Sequence, residues 1–340
     1  MRQIRFVDWF AGIGGFRYGL EKANKARPAE ANLLSKGDCP NIGDANRWAS
    51  YSYYCVGACE VDKWCRQTYK RNFGHEPEWA DSRAVDPSEL PDFDLFCAGF
   101  PCQSFSIAGK RRGFRDIRGT LFFEIIRICS ERRPKYLLLE NVKGLLSVDN
   151  GFTFETILSS LSDIGYDLQW EVLNSKHFGV PQNRERVFII GHLRDLPRLQ
   201  VFPLGEADPT YQEPIREGRV VTSAITTENA HQFGKNVTAR QAIDIAICDM
   251  YNRKFRANQD IAGALKGEGI ADTSIGTALL EGGRIRRLTP LECERLQGFP
   301  DGWTEGVSDT QRYRMCGNAV TTTVVTAIGV RFLEVLMESG

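Results

Sequence analysis

Residues 4–20, IRFVDWFAGIGGFRYGL, decide the fold class. The apolar run Ile4 to Asp8 ends in an acid, the glycine-rich FAGIGG follows at once, and a helical pattern continues through Leu20. Strand, tight turn and helix in that order open a parallel α/β sheet. A glycine-rich turn at that point lets backbone N–H groups and the helix N-terminus approach an anionic ligand. The dinucleotide fingerprint would need glycine at position 17, where Arg17 stands. The turn therefore predicts a nucleotide-like cofactor other than NAD.

Working outward, Tyr54–Cys59, Phe93–Ala98, Tyr136–Leu139 and Val187–Gly191 are further short apolar runs without alternation, as expected of strands buried on both faces. Leu121–Ile128 and Phe154–Ile164 carry helical periodicity between them. From about Leu193 to Arg284 the texture changes: Pro197, Pro203, Pro209 and Pro214 punctuate it, glycines are frequent and the alternation is lost. Thr289–Gln297 then predicts a short helix with Thr at the N-cap, Pro at N1 and Gly298 beyond its end. Val320–Met337 predicts a long amphipathic helix packing back on the first domain. Lys25–Tyr51 is a polar stretch with loop-like composition.

Composition narrows the function. The chain has 340 residues, 42% hydrophobic and 25% charged, which is the makeup of a folded globular protein. Its 43 basic and 43 acidic residues exclude a uniformly basic coat, so any polyanion site is a local patch. No apolar run is expected to reach the roughly 18–20 residues of a membrane span. The start MRQIRFVDWF lacks the features of an export signal, so a cytoplasmic location is expected. Ten cysteines occur without a CxxC pair, which predicts reduced core thiols and no metal site.

One cysteine stands apart. Cys102, in Gly99-Phe100-Pro101-Cys102-Gln103-Ser104-Phe105-Ser106, lies just past the carboxyl end of a predicted strand, where parallel sheets place ligands. Glu140-Asn141-Val142 ends another strand at the same edge, and Gln182-Asn183-Arg184-Glu185-Arg186 immediately precedes a third. A nucleophile, an acid able to share a proton and guanidinium donors make a reaction centre, and cations beside a thiol favour its thiolate. Glu60 ends the second strand, where an acid commonly takes ribose hydroxyls. It lies 45 residues past Gly15 because of the polar stretch.

These blocks resemble the DNA (cytosine-5)-methyltransferase family: DWFAGIGG, GFPCQSFS, ENV, QNRER, RLTPLECERLQGFP (Arg287 to Pro300) and GNAV (Gly317 to Val320), all in family order. The resemblance implies a Rossmann-like S-adenosylmethionine-dependent methyltransferase domain with a smaller, irregular target-recognition domain. Residues 1–192 with 318–340 would form the catalytic and cofactor-binding domain, 193–284 the target-recognition domain and 285–317 a hinge. It implies S-adenosyl-L-methionine as cofactor and double-stranded DNA as partner. By resemblance Cys102 is the nucleophile, Glu140 handles N3 and the exocyclic amine of cytosine, Arg186 holds O2 and Arg184 organises the site. Phe10, Ala11, Gly12, Gly14, Gly15, Glu60, Val61, Asp81, Pro101 and Asn318 would form the cofactor pocket, Asp81 at the adenine amino group.

A target base inside a duplex cannot reach a buried thiolate, so base flipping is expected. Gln103 and Ser104 would touch DNA. Lys110, Arg111, Arg112, Arg115 and Arg118, with Asp116 the one acid among them, supply the local basic patch that a neutral protein needs. The recognition region carries eleven basic and twelve acidic residues, so specific contacts rather than bulk charge must read its sequence. The polar stretch Lys25–Tyr51 departs from the family pattern. A tRNA-methylating branch with a Pro-Pro-Cys-Gln block and a Cys-Phe-Thr motif fits less well, since Phe100-Pro101 precedes the cysteine here. A silent DNA-binding module would have no use for Cys102, Glu140, Arg184 and Arg186 together. A compact chain without regulatory domains points to restriction–modification or genome protection, acting as a monomer beside a separate endonuclease.

Overall fold

The computed structural model describes residues 2–25, 51–101, 121–204 and 284–339, and strand residues 224–225, 247–249, 254–255, 262–263 and 278–281. In chain order the elements are β1 (Arg2–Trp9), α1 (Gly15–Ala23), β2 (Tyr51–Cys59), α2 (Lys63–Phe73), β3 (Leu95–Gly99), α3 (Leu121–Arg132), β4 (Tyr136–Val142) and α4 (Phe152–Asp163). They continue with β5 (Tyr166–Asn174), β6 (Gln182–Asn183), β7 (Glu185–Leu193), β8 (Ala224–Ile225), β9 (Ile247–Asp249), β10 (Lys254–Phe255), β11 (Ala262–Gly263), β12 (Ala278–Glu281) and β13 (Arg284–Arg287). Three helices close the chain: α5 (Pro290–Leu296), α6 (Asp309–Asn318) and α7 (Thr322–Ser339).

The chain divides into two compact units. The first comprises Met1–Leu173, Glu185–Glu206 and Val324–Gly340. It is built on a six-stranded sheet in the order β2-β1-β3-β4-β7-β5. β2, β1, β3 and β4 run parallel, so the strand order reverses at β1 and the carboxyl ends of these strands share one edge. β7 runs antiparallel to β4, with Val142 opposite Arg186 and Glu140 opposite Phe188. β7 is the exception to the parallel pairing expected from the sequence, and the exception carries chemistry. A parallel β7 would put its leading residues at the wrong edge, whereas the antiparallel one starts where β4 ends.

Alternation divides the strand residues between two helical layers. Val7, Trp9, Phe96, Leu139 and Ile189 pack with Ile125, Ile128 and Ile157 of α3 and α4. On alternate positions Leu138 and Ile190 join Leu20, Tyr53 and Ile328 around an apolar gap. α7 seats closely because Gly329 lets Leu20, Ala23 and Tyr53 approach, and the Tyr53 hydroxyl donates to the Gly329 carbonyl at 2.8 Å. Sequence periodicity made this helix amphipathic, but it is buried on nearly every face. The helical stretch Asp309–Glu338 even contains a window long and apolar enough to cross a membrane, of which 83% is buried inside the protein. A helix that is apolar all round is what a core helix requires.

The second unit comprises Asn174–Arg184 and Ala207–Thr323. Its short strands β10, β9, β12 and β13 are adjacent in that order, β8 adds to β9, and β6 pairs with β11 in parallel. α5 begins as predicted: Thr289 caps it through a reciprocal capping box with Glu292, and Pro290 is its first residue. Buried Glu294 on the same helix accepts from the Gly302 and Thr304 N–H groups and the Thr304 hydroxyl, and pairs with Arg312 at 3.1 Å.

Candidate active site

Between β1 and α1 the chain takes three left-handed conformations in five residues: Phe10 (φ 56°), Gly12 (φ 55°) and Gly14 (φ 84°). Such backbone is cheap only for glycine. A Cβ at Gly14 would fall 2.3 Å from Phe73 Cε2, so this glycine is also a packing requirement. A Cβ at Gly12 would meet nothing within 4 Å. The turn is tied down by Ala11 N–H donating to the Cys59 carbonyl at 2.9 Å. Gly15 begins α1 behind it.

Glu60 stands at the carboxyl end of β2, buried to 8% exposure. Its Oε2 accepts from Gly12 N–H at 2.8 Å and its Oε1 from Asp62 N–H at 2.7 Å. Burial raises its pKa, and these two bonds pull it back. Each carboxylate oxygen retains a lone pair, which is what a ribose diol needs. The open space beside Gly12 and the acceptor pair on Glu60 have the chemistry to take a nucleoside. Val61 beside it is highly exposed, at 70%. Asp62 caps α2 by accepting from the Trp64 and Cys65 N–H groups.

Asp81 follows Trp79 and caps a short 3-10 turn, Ser82–Ala84. Its carboxylate is gripped by Arg83, Nε to Oδ1 at 3.0 Å and Nη2 to Oδ2 at 2.8 Å, which lowers its pKa. Within β1, Asp8 is fully buried and accepts from Arg17 N–H at 3.3 Å, while its Oδ1 has no hydrogen-bond partner among the described residues. Burial pushes its pKa up to about 8.

The acid and the arginine meet at the same edge. Arg186 Nε lies 3.1 Å from Glu140 Oε1, with side-chain exposures of 15% and 10%. Burial lowers the Arg186 pKa, and the Glu140 charge opposes that. Gly99 pairs with Glu140 across β3 and β4, and a Cβ there would lie 3.5 Å from Glu140 Oε2. Asn141, 2% exposed, donates through Nδ2 to the Phe100 carbonyl at 2.9 Å. It thereby fixes the chain one residue before Pro101, which is exposed. Sequence reasoning gave Asn141 no task; an amide side chain in an otherwise apolar strand was the available signal.

Arg184 belongs to the second unit and is 1% exposed. Its Nη2 donates to the carbonyls of Gly317 at 3.0 Å and Ala319 at 2.8 Å, flanking exposed Asn318 at the end of α6. QNRER and GNAV are thus physically joined there. Ser175 accompanies them, donating through its backbone N–H to the Arg184 carbonyl at 3.0 Å and through its hydroxyl to Thr321 at 2.9 Å. Cys102, Gln103, Ser104, Lys110, Arg111, Arg112, Arg115 and Arg118 lie outside the described residues. So do most of residues 205–283 in the recognition region and most of the polar stretch, 26–50.

Comparison with known proteins agrees with this architecture. The Type II methyltransferase M1.ScrFI of Lactococcus lactis subsp. cremoris is 35% identical over 345 residues, covering 99% of this chain and 80% of the relative. The Type II methyltransferase M.HhaI of Haemophilus parahaemolyticus is 33% identical over 333 residues, covering 96% and 93%. Among solved structures, the Dnmt2 methyltransferase of S. pombe shares the fold at a TM-score of 0.61 and 20% identity, covering 98% of this chain and 99% of that one. The model of the C-5 cytosine-specific DNA methylase family matches residues 4–334, and with such relatives over nearly the whole length the chain belongs to that family.

Proposed function

We propose that this enzyme methylates carbon 5 of a flipped-out cytosine in a short duplex sequence, through a covalent bond between Cys102 and carbon 6, with S-adenosylmethionine as methyl donor. The observation that carries the reading is the buried Glu140–Arg186 pair at 3.1 Å, on the edge where β3 ends at Gly99, three residues before Cys102 in the chain. Carbon 5 of cytosine is too weak a nucleophile on its own. Thiolate addition at carbon 6 turns the ring into an enamine, and Glu140, giving a proton to N3, draws electrons from carbon 6 as the thiolate arrives. Arg186 keeps one Glu140 oxygen in place and offers its remaining donors to the base O2. When bound, S-adenosylmethionine supplies an electrophilic methyl group. Gly12, Gly14 and Glu60 would hold it, with Phe10 against the adenine and Asp81 at its amino group. After methylation, loss of the carbon-5 proton expels Cys102 as the thiolate.

Extrusion of the base is required because the reacting atoms lie inside the duplex stack. The names of the relatives, Type II methyltransferases, support a restriction–modification or self-protection setting with a separate endonuclease, and a single flipped base requires only one copy of the chain. A duplex carrying 5-fluorocytosine tests the covalent step. Fluorine cannot leave carbon 5 as a proton does, so the adduct should persist through denaturing electrophoresis in the presence of S-adenosylmethionine. Cys102→Ala should give none; an adduct of equal yield with that variant refutes the assignment.

A further inference from the structure

Two chain segments build the predicted ribose and adenine end of the cofactor pocket: the end of β2 bearing Glu60, and the strap of residues 78–81 leading to Asp81. They lie side by side. Trp79 bridges to Cys59, its N–H donates to the Ala58 carbonyl at 3.1 Å, and Glu60 N–H donates to the Trp79 carbonyl at 3.0 Å. Glu78 reaches back to accept from Ala58 N–H at 2.7 Å. The Trp79 ring packs on Trp9, with centroids 5.5 Å apart.

One guanidinium joins the two segments. Arg66, on the second turn of α2, donates from a single nitrogen, Nη1, to both the Glu60 and the Trp79 carbonyls, each at 3.0 Å. Its Nη2 is held by Glu76 at 3.2 Å, and Glu76 also meets Lys70 at 3.1 Å. The Arg66 side chain is 20% exposed, so it sits largely out of water where such bonds hold geometry well.

We infer that Arg66 is a positioning residue for cofactor binding: it sets the separation of the Glu60 and Asp81 segments and thereby the affinity for S-adenosylmethionine, without taking part in the transfer. The inference rests on the assignment of Glu60 to the ribose. An arginine serves here because one planar group can face two carbonyls while a second nitrogen is pinned from behind. Without it the Glu60 carbonyl loses this donor, and the two segments keep only the Trp79 main-chain bonds and the contacts made by Glu78 and Cys59. Misplacing a binding group by a fraction of an ångström is enough to weaken a preorganised site.

The test is titration calorimetry of S-adenosylhomocysteine against wild type, Arg66→Met, Arg66→Lys and Glu76→Gln, beside steady-state methyl transfer to DNA. Arg66→Met keeps the aliphatic stem and should raise the Kd about tenfold, with KM for S-adenosylmethionine rising in proportion and kcat within about twofold. Arg66→Lys retains a cation able to face both carbonyls and should recover much of that loss. Glu76→Gln should raise the Kd about threefold. Wild-type affinity in folded Arg66→Met, or a loss in kcat rather than KM, overturns the inference. Should Arg66→Met fail to fold, unchanged affinity in Glu76→Gln, which removes the charge pinning Nη2, overturns it instead. A wild type that binds no S-adenosylhomocysteine would sink the cofactor assignment itself, and the inference with it.

Discussion

Gly12 and Gly14 differ by two positions and share left-handed backbone, yet alanine at each should do opposite things. At Gly14 the new methyl costs about 1–2 kcal/mol for its positive φ. It must also displace Phe73, whose Cε2 and Cζ would lie 2.3 and 2.8 Å away. That ring has little room to give, since Arg17 lies over it at 4.1 Å and Tyr69 packs on it at 4.5 Å. Overpacking of this kind adds about 1–3 kcal/mol, so Gly14→Ala should lose roughly 2–5 kcal/mol in urea unfolding. At Gly12 only the conformational cost applies, because a Cβ would meet nothing within 4 Å. Its methyl instead enters the space beside Glu60, so Gly12→Ala should bind S-adenosylhomocysteine at least about tenfold more weakly at modest cost in stability. Phe73→Leu should rescue Gly14→Ala in a double-mutant cycle by about 1 kcal/mol or more. Equal unfolding midpoints for the two alanine variants, or wild-type affinity in Gly12→Ala, would refute this account of the turn.

Other outcomes follow from the remaining site residues. Glu140→Gln leaves Arg186 buried beside a neutral partner, so it should lose about 3 kcal/mol of stability. The same variant should lose about 10²–10⁴ in kcat with cofactor affinity kept, as isothermal titration and single-turnover assays would show. Asp8 has a folded pKa of about 8 against 3.8 for a free carboxyl. Between those values the folded chain binds the extra proton, so this contribution to stability is full at low pH and falls as pH rises, by up to ~1.4 kcal/mol per unit. The isosteric Asp8→Asn should therefore gain on wild type between pH 5 and 8 in unfolding experiments, and parallel pH profiles would contradict it. Arg111→Ala with Arg112→Ala should reduce the slope of log K against log salt for duplex binding by about 2, and an unchanged slope would remove these residues from the DNA interface.

Much of the first unit was legible because its strands are short apolar runs with acids at their ends. Asp8, Glu60 and Glu140 each stand at or near the carboxyl end of a strand, and the glycine turn after β1 declares itself by composition. Strand direction was not legible. QNRER reads as the entry to a buried strand whichever way that strand runs, and only the pairing of β7 against β4 explains how Arg186 reaches Glu140. β5 escaped notice because its pattern, YDLQWEVLN, mixes charged and apolar residues on a half-exposed strand. Arg66 was invisible for a different reason. Its partners are backbone carbonyls, and no side-chain motif announces a guanidinium that braces main chain. The sequence marks Arg184 only as part of QNRER; its grip on Gly317 and Ala319 depends on contacts 133 and 135 residues away, which no local pattern encodes.

The central claim is that this chain marks cytosine at carbon 5 through Cys102 with Glu140 in support. Base-resolution bisulfite sequencing of DNA from a methylation-free host expressing the chain, beside Cys102→Ala, tests it most directly. The account predicts protected cytosines in one short sequence context with the wild type and none with the variant. Soluble wild-type protein that binds S-adenosylmethionine yet leaves every cytosine unprotected would contradict it.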